Sequence, residues 1–397
     1  MTSTAITKPT RLILGADPLL NPATGIGHYT RHLLLALHNR NLVSDLKLYA
    51  DGRFLATEPH VNTLQVPTAS HLTSAPTRWQ QARAMLANNR LAVRAYAQIM
   101  PRLGQVRLRG FRDSHLYHSP NFLLPDFEGP MVSTFHDLSI LRFPEFHPVA
   151  RVKFMEKVMR HAVERASHVI TDAQVVKNEV QDCYGLDSDK VTAIHLGVSD
   201  VFRARGAAQC LSLSEYGLQY RQFFLFVGSL EPRKNIVRII EAYISARQKN
   251  GFSWPLILAG GPGWQNSREL EAIADLTQRG WGRYLGPVTQ QVLAELYASA
   301  RALLFPSIYE GFGLPALEAQ RSGTPTITSA GSAMAEFSCA ADNLVNPLDV
   351  QDIAAAISHT ALDSPVTISL ADTPAAELTW DRTAQKTQAV YQQLQSN

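Results

Sequence analysis

The sequence predicts an α/β protein of two domains, each a doubly wound parallel sheet covered by helices, and three observations carry that reading. Short apolar runs of strand length alternate with longer stretches of helical period along nearly the whole chain, as parallel βαβ units require. At 397 residues the chain exceeds what one hydrophobic core supports. The alternation lapses once, over Arg203 to Arg221 (RARGAAQCLSLSEYGLQYR), and then restarts cleanly. These observations divide the chain into an N-terminal domain of residues 1–205, a C-terminal domain of 206–378 and a closing helix of 379–397.

The elements follow in order. Arg11 to Asp17 (RLILGAD) is an apolar run of strand length; a loop rich in Pro, Asn and Gly leads into GIGHYTRHLLLALHN, where Tyr29, Leu33 and Leu34 recur at helical spacing. DLKLYAD, HLYHSP, PMVSTFHDL, HVITDA and KVTAIHL read as further strands, with a helix over RVKFMEKVMRHAVERASH between two of them. After the lapse come FFLFVGSL, a helix from Lys234, WPLILAGG, a helix from Arg268, RYLG, a helix from Gln290, RALLFPS, a helix from Gly313 and TPTITSA, a second Rossmann-like domain. The last segment, TWDRTAQKTQAVYQQLQ, puts Trp380, Ala384, Thr387 and Tyr391 on one face of a docking helix.

Composition narrows the class further. With 45% hydrophobic and 18% charged residues the chain is an ordinary globular protein. Cys183, Cys210 and Cys339 are isolated and odd in number, which supports neither a disulfide framework nor a zinc knuckle and suits a reducing cytoplasm. The opening MTSTAITKPTR lacks an apolar signal region, and no stretch approaches the roughly 18 uninterrupted apolar residues of a spanning helix. From Pro59 to Arg112 there is no Asp or Glu, while Arg78, Arg83, Arg90, Arg94, Arg102, Arg107, Arg109 and Arg112 all fall there. Two readings of this block stand: a solvated face, or a basic amphipathic helix resting on an anionic leaflet, where each basic residue adds about 1 kcal/mol. The block carries Trp79 and Tyr96 but no nucleic-acid motif, so no nucleic-acid partner is expected.

The chemistry concentrates in two motifs, each directly after a strand. Glu310-Gly311-Phe312-Gly313-Leu314-Pro315-Ala316-Leu317-Glu318 joins RALLFPS to a helix opening near Pro315, at a strand's carboxyl end, where open α/β sheets bind ligands. Its glycines let backbone amides approach a ligand, and the helix N-terminus suits a phosphate. Glu318 can accept from a vicinal diol such as a ribose, and Glu310 from a hexose. In Gly228-Ser229-Leu230-Glu231-Pro232-Arg233-Lys234-Asn235, Arg233 and Lys234 open a helix against the macrodipole, the arrangement expected of cations that neutralise a departing diphosphate in place of a metal ion. His136 beside Asp137 ends another strand; Asp137 either orients it or acts on the acceptor. Asp187-Ser188-Asp189 has the DxD spacing of a metal-holding motif, but its place between a helix end (QDCYG) and a strand predicts a surface turn.

FVGSLEPRKN, LILAGGPG, YLGPV and FPSIYEGFGLPALEAQRSGTP together resemble the donor-binding half of family-4 retaining glycosyltransferases of the GT-B fold. The resemblance extends over nearly the whole chain through TGIGHYTRHLL, TFHDL and TWDRTA. Within that family the wording TGIGHYT and TFHDLS is similar to bacterial mannosyl- and rhamnosyltransferases of O-antigen or exopolysaccharide synthesis. The resemblance implies that Arg233 and Lys234 grip the donor diphosphate, that Glu310 meets the donor hexose at the reaction centre, and that Glu318 holds the ribose hydroxyls. It implies backbone amides from Phe312, Gly313 and Leu314 to phosphate and sugar, and backbone contact from Val288 to the base. By the same resemblance Gly228 would join the donor-binding set, Gly27 would approach the diphosphate from the opposite domain, His136 would face the sugar across the cleft, and the closing helix would return to the N-terminal domain.

The implied activity is transfer of a hexose, mannose from GDP-mannose by similarity, to a glycan or lipid-linked oligosaccharide acceptor, with retention of configuration and neither metal nor other cofactor. The expected setting is cytoplasmic, with the basic block as the membrane-facing surface if the leaflet reading holds. Other nucleotide-sugars, an epimerase or phosphorylase on the same fold, and a two-domain solute-binding protein are the alternatives; the glutamate pair argues against the last.

Overall fold

The computed structural model describes residues 10–20, 25–58, 61, 106–147, 149–263, 265–364 and 366–396. Two sheets organise them. The first contains β1 (Arg11–Gly15), β2 (Asp45–Ala50), β3 (Arg53–Leu55), β4 (Leu116–Ser119), β5 (Met131–Phe135), β6 (His168–Thr171) and β7 (Val191–Ala193), in the order β3-β2-β1-β4-β5-β6-β7. The second contains β8 (Phe224–Val227), β9 (Leu256–Ala259), β10 (Gly282–Tyr284), β11 (Ala302–Phe305), β12 (Thr326–Ser329) and β13 (Asn343–Val345), in the order β10-β9-β8-β11-β12-β13. Neighbours pair in parallel throughout, except β2 with β3. Each order reverses direction once, between β1 and β4 and between β8 and β11. The crevices at the strands' carboxyl ends there are where doubly wound sheets take ligands.

The central strands β1, β4, β5, β6, β8, β9, β11 and β12 are buried on both faces, which is why they read as unbroken apolar runs. Leu12 and Leu14 enter a large core that continues through Phe224 and Leu303 to Tyr391, whereas Ile13 joins a smaller cluster with Tyr49, Tyr117, Phe127 and Met131. In α1 (Gly25–Asn39) the residues at helical spacing, Tyr29, Leu33, Leu34 and Leu37, are all buried. Along the first half follow α2 (Val149–Arg165) and α3 (Gln174–Tyr184). In the second come α4 (Ile236–Asn250), α5 (Ser267–Gln278), α6 (Gln290–Ser299), α7 (Leu314–Arg321) and α8 (Val350–Leu362).

The closing helix α9 (Trp380–Ser396) crosses back to the first sheet. Tyr391 meets His118 Nδ1 at 2.5 Å, Thr383 donates to the His195 carbonyl at 2.8 Å, and Trp380 stacks on His32 with centroids 4.9 Å apart. Its buried face is Thr383, Ala384, Thr387, Val390 and Tyr391. Among the described residues no helix is long and apolar enough to cross a membrane.

Several expectations need correcting. The helix expected from Lys234 begins at Ile236, because Pro232–Lys234 is a 3-10 turn and Asn235 takes φ 64°, its amide donating to the Pro306 and Pro347 carbonyls. Gly25 and Gly27 lie in the first turn of α1. Strands β3 and β13 and helix α8 are additional to those read from the sequence. Arg78, Arg83, Arg90, Arg94 and Arg102, and the amphipathic helix proposed there, lie outside the described residues. Arg107 donates to the Gly52 carbonyl and Arg112 to Glu128.

Candidate active site

On the C-terminal side the loop after β8 carries Gly228 to Asn235 and the loop after β11 carries Glu310 to Gly313, so the two motifs flank the point where the strand order reverses. Between them sits an ion cluster. Lys234 Nζ donates to Glu310 Oε1 at 2.6 Å, and Arg233 donates to Glu310 Oε2 at 3.1 Å and to Glu231 Oε2 at 3.0 Å. Ser229 Oγ donates to the other Glu231 oxygen at 2.5 Å, and Arg233 also reaches the Tyr309 carbonyl at 3.2 Å. The side chains of Lys234 and Glu310 are 9% and 7% exposed, so these are buried charges that persist only because each is paired.

The cluster sets its own protonation. Burial alone would lift the Glu310 carboxyl, but Lys234 and Arg233 beside it hold it below the ordinary range. Burial and the neighbouring Arg233 charge lower the Lys234 ammonium, against the pull of Glu310. Burial works against a charged Arg233, yet Glu310, Asp137 and Glu231 raise its pKa. Within the hydrogen-bonded cluster the two cations Arg233 and Lys234 are paired with the two carboxylates Glu310 and Glu231. Gly228 closes over it: a Cβ there would lie 3.8 Å from Lys234 Cδ.

The N-terminal half supplies His136 just beyond β5. Its Nδ1 lies 2.6 Å from Asp172 Oδ2, its Nε2 lies 2.8 Å from the Pro120 carbonyl oxygen, and the Tyr29 ring meets it edge-on at 4.7 Å. Asp137 accepts from the Ser139 N–H and hydroxyl at 2.9 and 2.8 Å, so it holds the chain after β5. Gly27 lies buried in the first turn of α1, two residues before Tyr29.

The halves touch at the Glu310 loop. A Cβ on Gly311 would fall 1.8 Å from the His136 carbonyl oxygen, so the space a side chain would fill belongs to the opposite half's main chain. Gly313 takes φ 97° at the start of α7 with Met334 packed against it. Leu138 N–H donates to the Tyr309 hydroxyl at 3.0 Å, which donates to Glu179 at 2.6 Å. Phe312 is buried against His195 and Phe337. Glu336, also from the second half, accepts from the Gln174 and Val175 N–H groups that open α3 and lies 2.7 Å from His195 Nε2.

The remaining candidates sit around this centre. Leu314 opens α7, and Glu318 lies within it, partly exposed beside the Tyr297 hydroxyl; burial pushes its carboxyl up to about 8. Val288 lies between β10 and α6. No hydrogen bond or ion pair among the described residues joins Val288 or Glu318 to the Arg233–Lys234–Glu310 cluster. Asp187-Ser188-Asp189 forms a turn before β7, with Lys190 N–H bonded to the Asp187 carbonyl at 3.1 Å.

Four side chains escaped the sequence reading: Glu231, Tyr309, Asp172 and Glu336. The first two lie inside the quoted motifs, and Asp172 follows β6 by the strand-end rule that singled out Glu310. Glu336 had no local signal.

Comparison with known proteins bears on the family and the fold. The family model described as Glycosyl transferases group 1 matches residues 217–369, and the one described as Glycosyltransferase Family 4 matches residues 23–201. An Escherichia coli protein named O-antigen chain mannosyltransferase B is 34% identical over 354 residues, 89% of this chain and 91% of that protein. Sucrose-phosphate synthase from Thermosynechococcus elongatus superposes with a TM-score of 0.69 at 19% identity, covering 98% of this chain and 99% of that one. The Anabaena protein HepE, in complex with UDP and glucose, superposes with a TM-score of 0.67 at 14% identity over 96% and 99% of the two chains. These likenesses give the fold as GT-B.

Proposed function

The chain belongs to the glycosyltransferases of group 1 and family 4, and from that premise we propose that it moves mannose from GDP-mannose to a glycan or lipid-linked glycan of a cell-surface polysaccharide, with retention of anomeric configuration and without a metal ion. The observation that carries this is the buried cluster of Arg233, Lys234 and Glu310 at the β8–β11 crevice. The choice of mannose rests on the 34% identical relative named as a mannosyltransferase.

The chemistry follows from charge. Breaking the glycosidic bond leaves about two negative charges on a diphosphate and an oxocarbenium-like sugar. Arg233 and Lys234 are fixed in a poorly solvated site, where each cation is worth more than in water and needs no reorganisation as the charge develops. Glu310, released from part of its pairing as the diphosphate engages the cations, is left to accept from hexose hydroxyls. The departing phosphate then takes the acceptor proton on the same face, which preserves configuration. Gly27 and the amides of Phe312, Gly313 and Leu314 line the diphosphate, Glu318 takes the ribose diol, and Val288 borders the base. We assign the reaction to the cytoplasm, which suits the unpaired thiols of Cys183, Cys210 and Cys339.

The experiment is a release assay in EDTA with GDP-, UDP- and ADP-linked sugars and a mannosylated acceptor. The protein should release GDP from GDP-mannose fastest, and Lys234→Ala should cut turnover by about a hundredfold or more. Near-normal turnover in that variant would remove Lys234 from the mechanism.

A further inference from the structure

The imidazole of His136 has an acceptor on each side: Asp172 Oδ2 at Nδ1 and the Pro120 carbonyl at Nε2. A carbonyl oxygen can only accept, so Nε2 carries a hydrogen. The contact at Nδ1 must then hold a second proton between ring and carboxylate, and the ring, with an ordinary pKa of about 6.5 against about 3.9, is the stronger base. His118, on the neighbouring strand β4, shows the contrast. Its two nitrogens face the hydroxyls of Tyr391 and Thr134, which can donate, and burial together with the His136 charge lowers its pKa to about 3.

The surroundings fit a charged ring. Asp172 is 2% exposed, and its second oxygen has no hydrogen-bond partner among the described residues, so its charge is directed at His136. The titratable groups facing the pair are Asp137 from the end of β5, His118 from β4, Tyr29 from α1 and His195 after β7. Burial opposes a charge on both partners: it lifts the Asp172 carboxyl against the pull of His136, and it works against the His136 charge, but there Asp172 and the Pro120 carbonyl outweigh it and raise the ring's pKa.

We propose that Asp172 is a positioning residue of the transfer site: it holds His136 as an imidazolium in one orientation, so that the N-terminal half brings a third cation to a cleft whose other two, Arg233 and Lys234, come from the C-terminal half. The proposal rests on reading the cleft as a transferase site. A sugar diphosphate bound between the halves would then meet a cation from each of them.

The test is Asp172→Asn, which keeps the shape and can serve Nδ1 from its amide but removes the charge, beside Asp172→Glu as the conservative rescue. NMR of labelled histidines, with the His136 signal assigned by its loss in His136→Gln, should find the wild-type ring protonated at about pH 7.5 and the Asp172→Asn ring titrating at or below about 6.5. In the release assay Asp172→Asn should lose about tenfold to a hundredfold in kcat at neutral pH with little change in donor KM, and regain rate on acidification where the wild type stays flat. Asp172→Glu should recover part of the loss. A wild-type ring that deprotonates at its ordinary pKa, or an Asp172→Asn enzyme with wild-type kcat and pH profile, overturns the proposal. The wild-type spectrum decides the ring's charge even if the variant does not fold. A protonated wild-type ring in a protein that releases nucleotide from no sugar donor upholds the pair and overturns the transferase reading.

Discussion

Two glutamates eight positions apart in one motif end in opposite electrostatic states. Glu310 lies between two cations that hold its carboxyl below the ordinary range, while Glu318 makes no ion pair among the described residues and burial pushes it up to about 8. That shift is a statement about stability. The folded protein binds the Glu318 proton more tightly than the unfolded chain, whose carboxyl titrates near 4.5. Its contribution is therefore whole below about pH 4.5 and lost as pH rises toward 8. Against Glu318→Gln, which cannot ionise, the wild type should lose thermal stability steadily between about pH 5 and 8. A gap in Tm that stays constant across that range would show the side chain to be solvated. Both glutamates were legible from the sequence because each belongs to a motif next to a strand end. Asp172, Glu231 and Tyr309 were not, since their roles depend on partners brought near by the fold, as Tyr309 is to Glu179.

At the scale of elements, the contact between the Glu310 loop and the strand end at His136 leaves no room for a methyl group. Gly311→Ala should force the halves apart, lowering turnover by more than about tenfold while each sheet stays folded, because misplacing reacting groups by about 1 Å costs on the order of a hundredfold. Small-angle scattering of the variant should show a larger radius of gyration; an unchanged radius with full activity would mean the loop yields instead. The same boundary is tied by Glu336, which caps α3 where Ala173 offers no side-chain cap, a contact of the kind that contributes about 1 kcal/mol. Most elements could be read from the sequence, because strands buried on both faces leave unbroken apolar runs. The exceptions have physical reasons. Strand β3 is three residues long, although the Asp51-Gly52 pair, both at positive φ, is a recognisable hairpin turn. Strand β13 is as short, without even that signal. The late start of α4 depends on a left-handed Asn235 fixed by carbonyls more than seventy positions away in sequence.

At the scale of the molecule, the halves share one continuous apolar core, to which α9 adds Ala384, Val390 and Tyr391 over the first sheet. A chain ending before Trp380 would uncover that face and strip the hydroxyl from His118. Its first half should lose cooperative thermal unfolding, whereas the 206–378 half should keep its own transition; calorimetry that still finds both transitions intact would reduce α9 to an ornament. The return of α9 also orders events during synthesis. Protein domains ordinarily fold from the first-made end while the remainder is still being translated. Here the second sheet can complete its packing as soon as its strands emerge, but the first cannot cover its α9 face until residues beyond 380 are made, so the half that begins the polypeptide is the last to be completed.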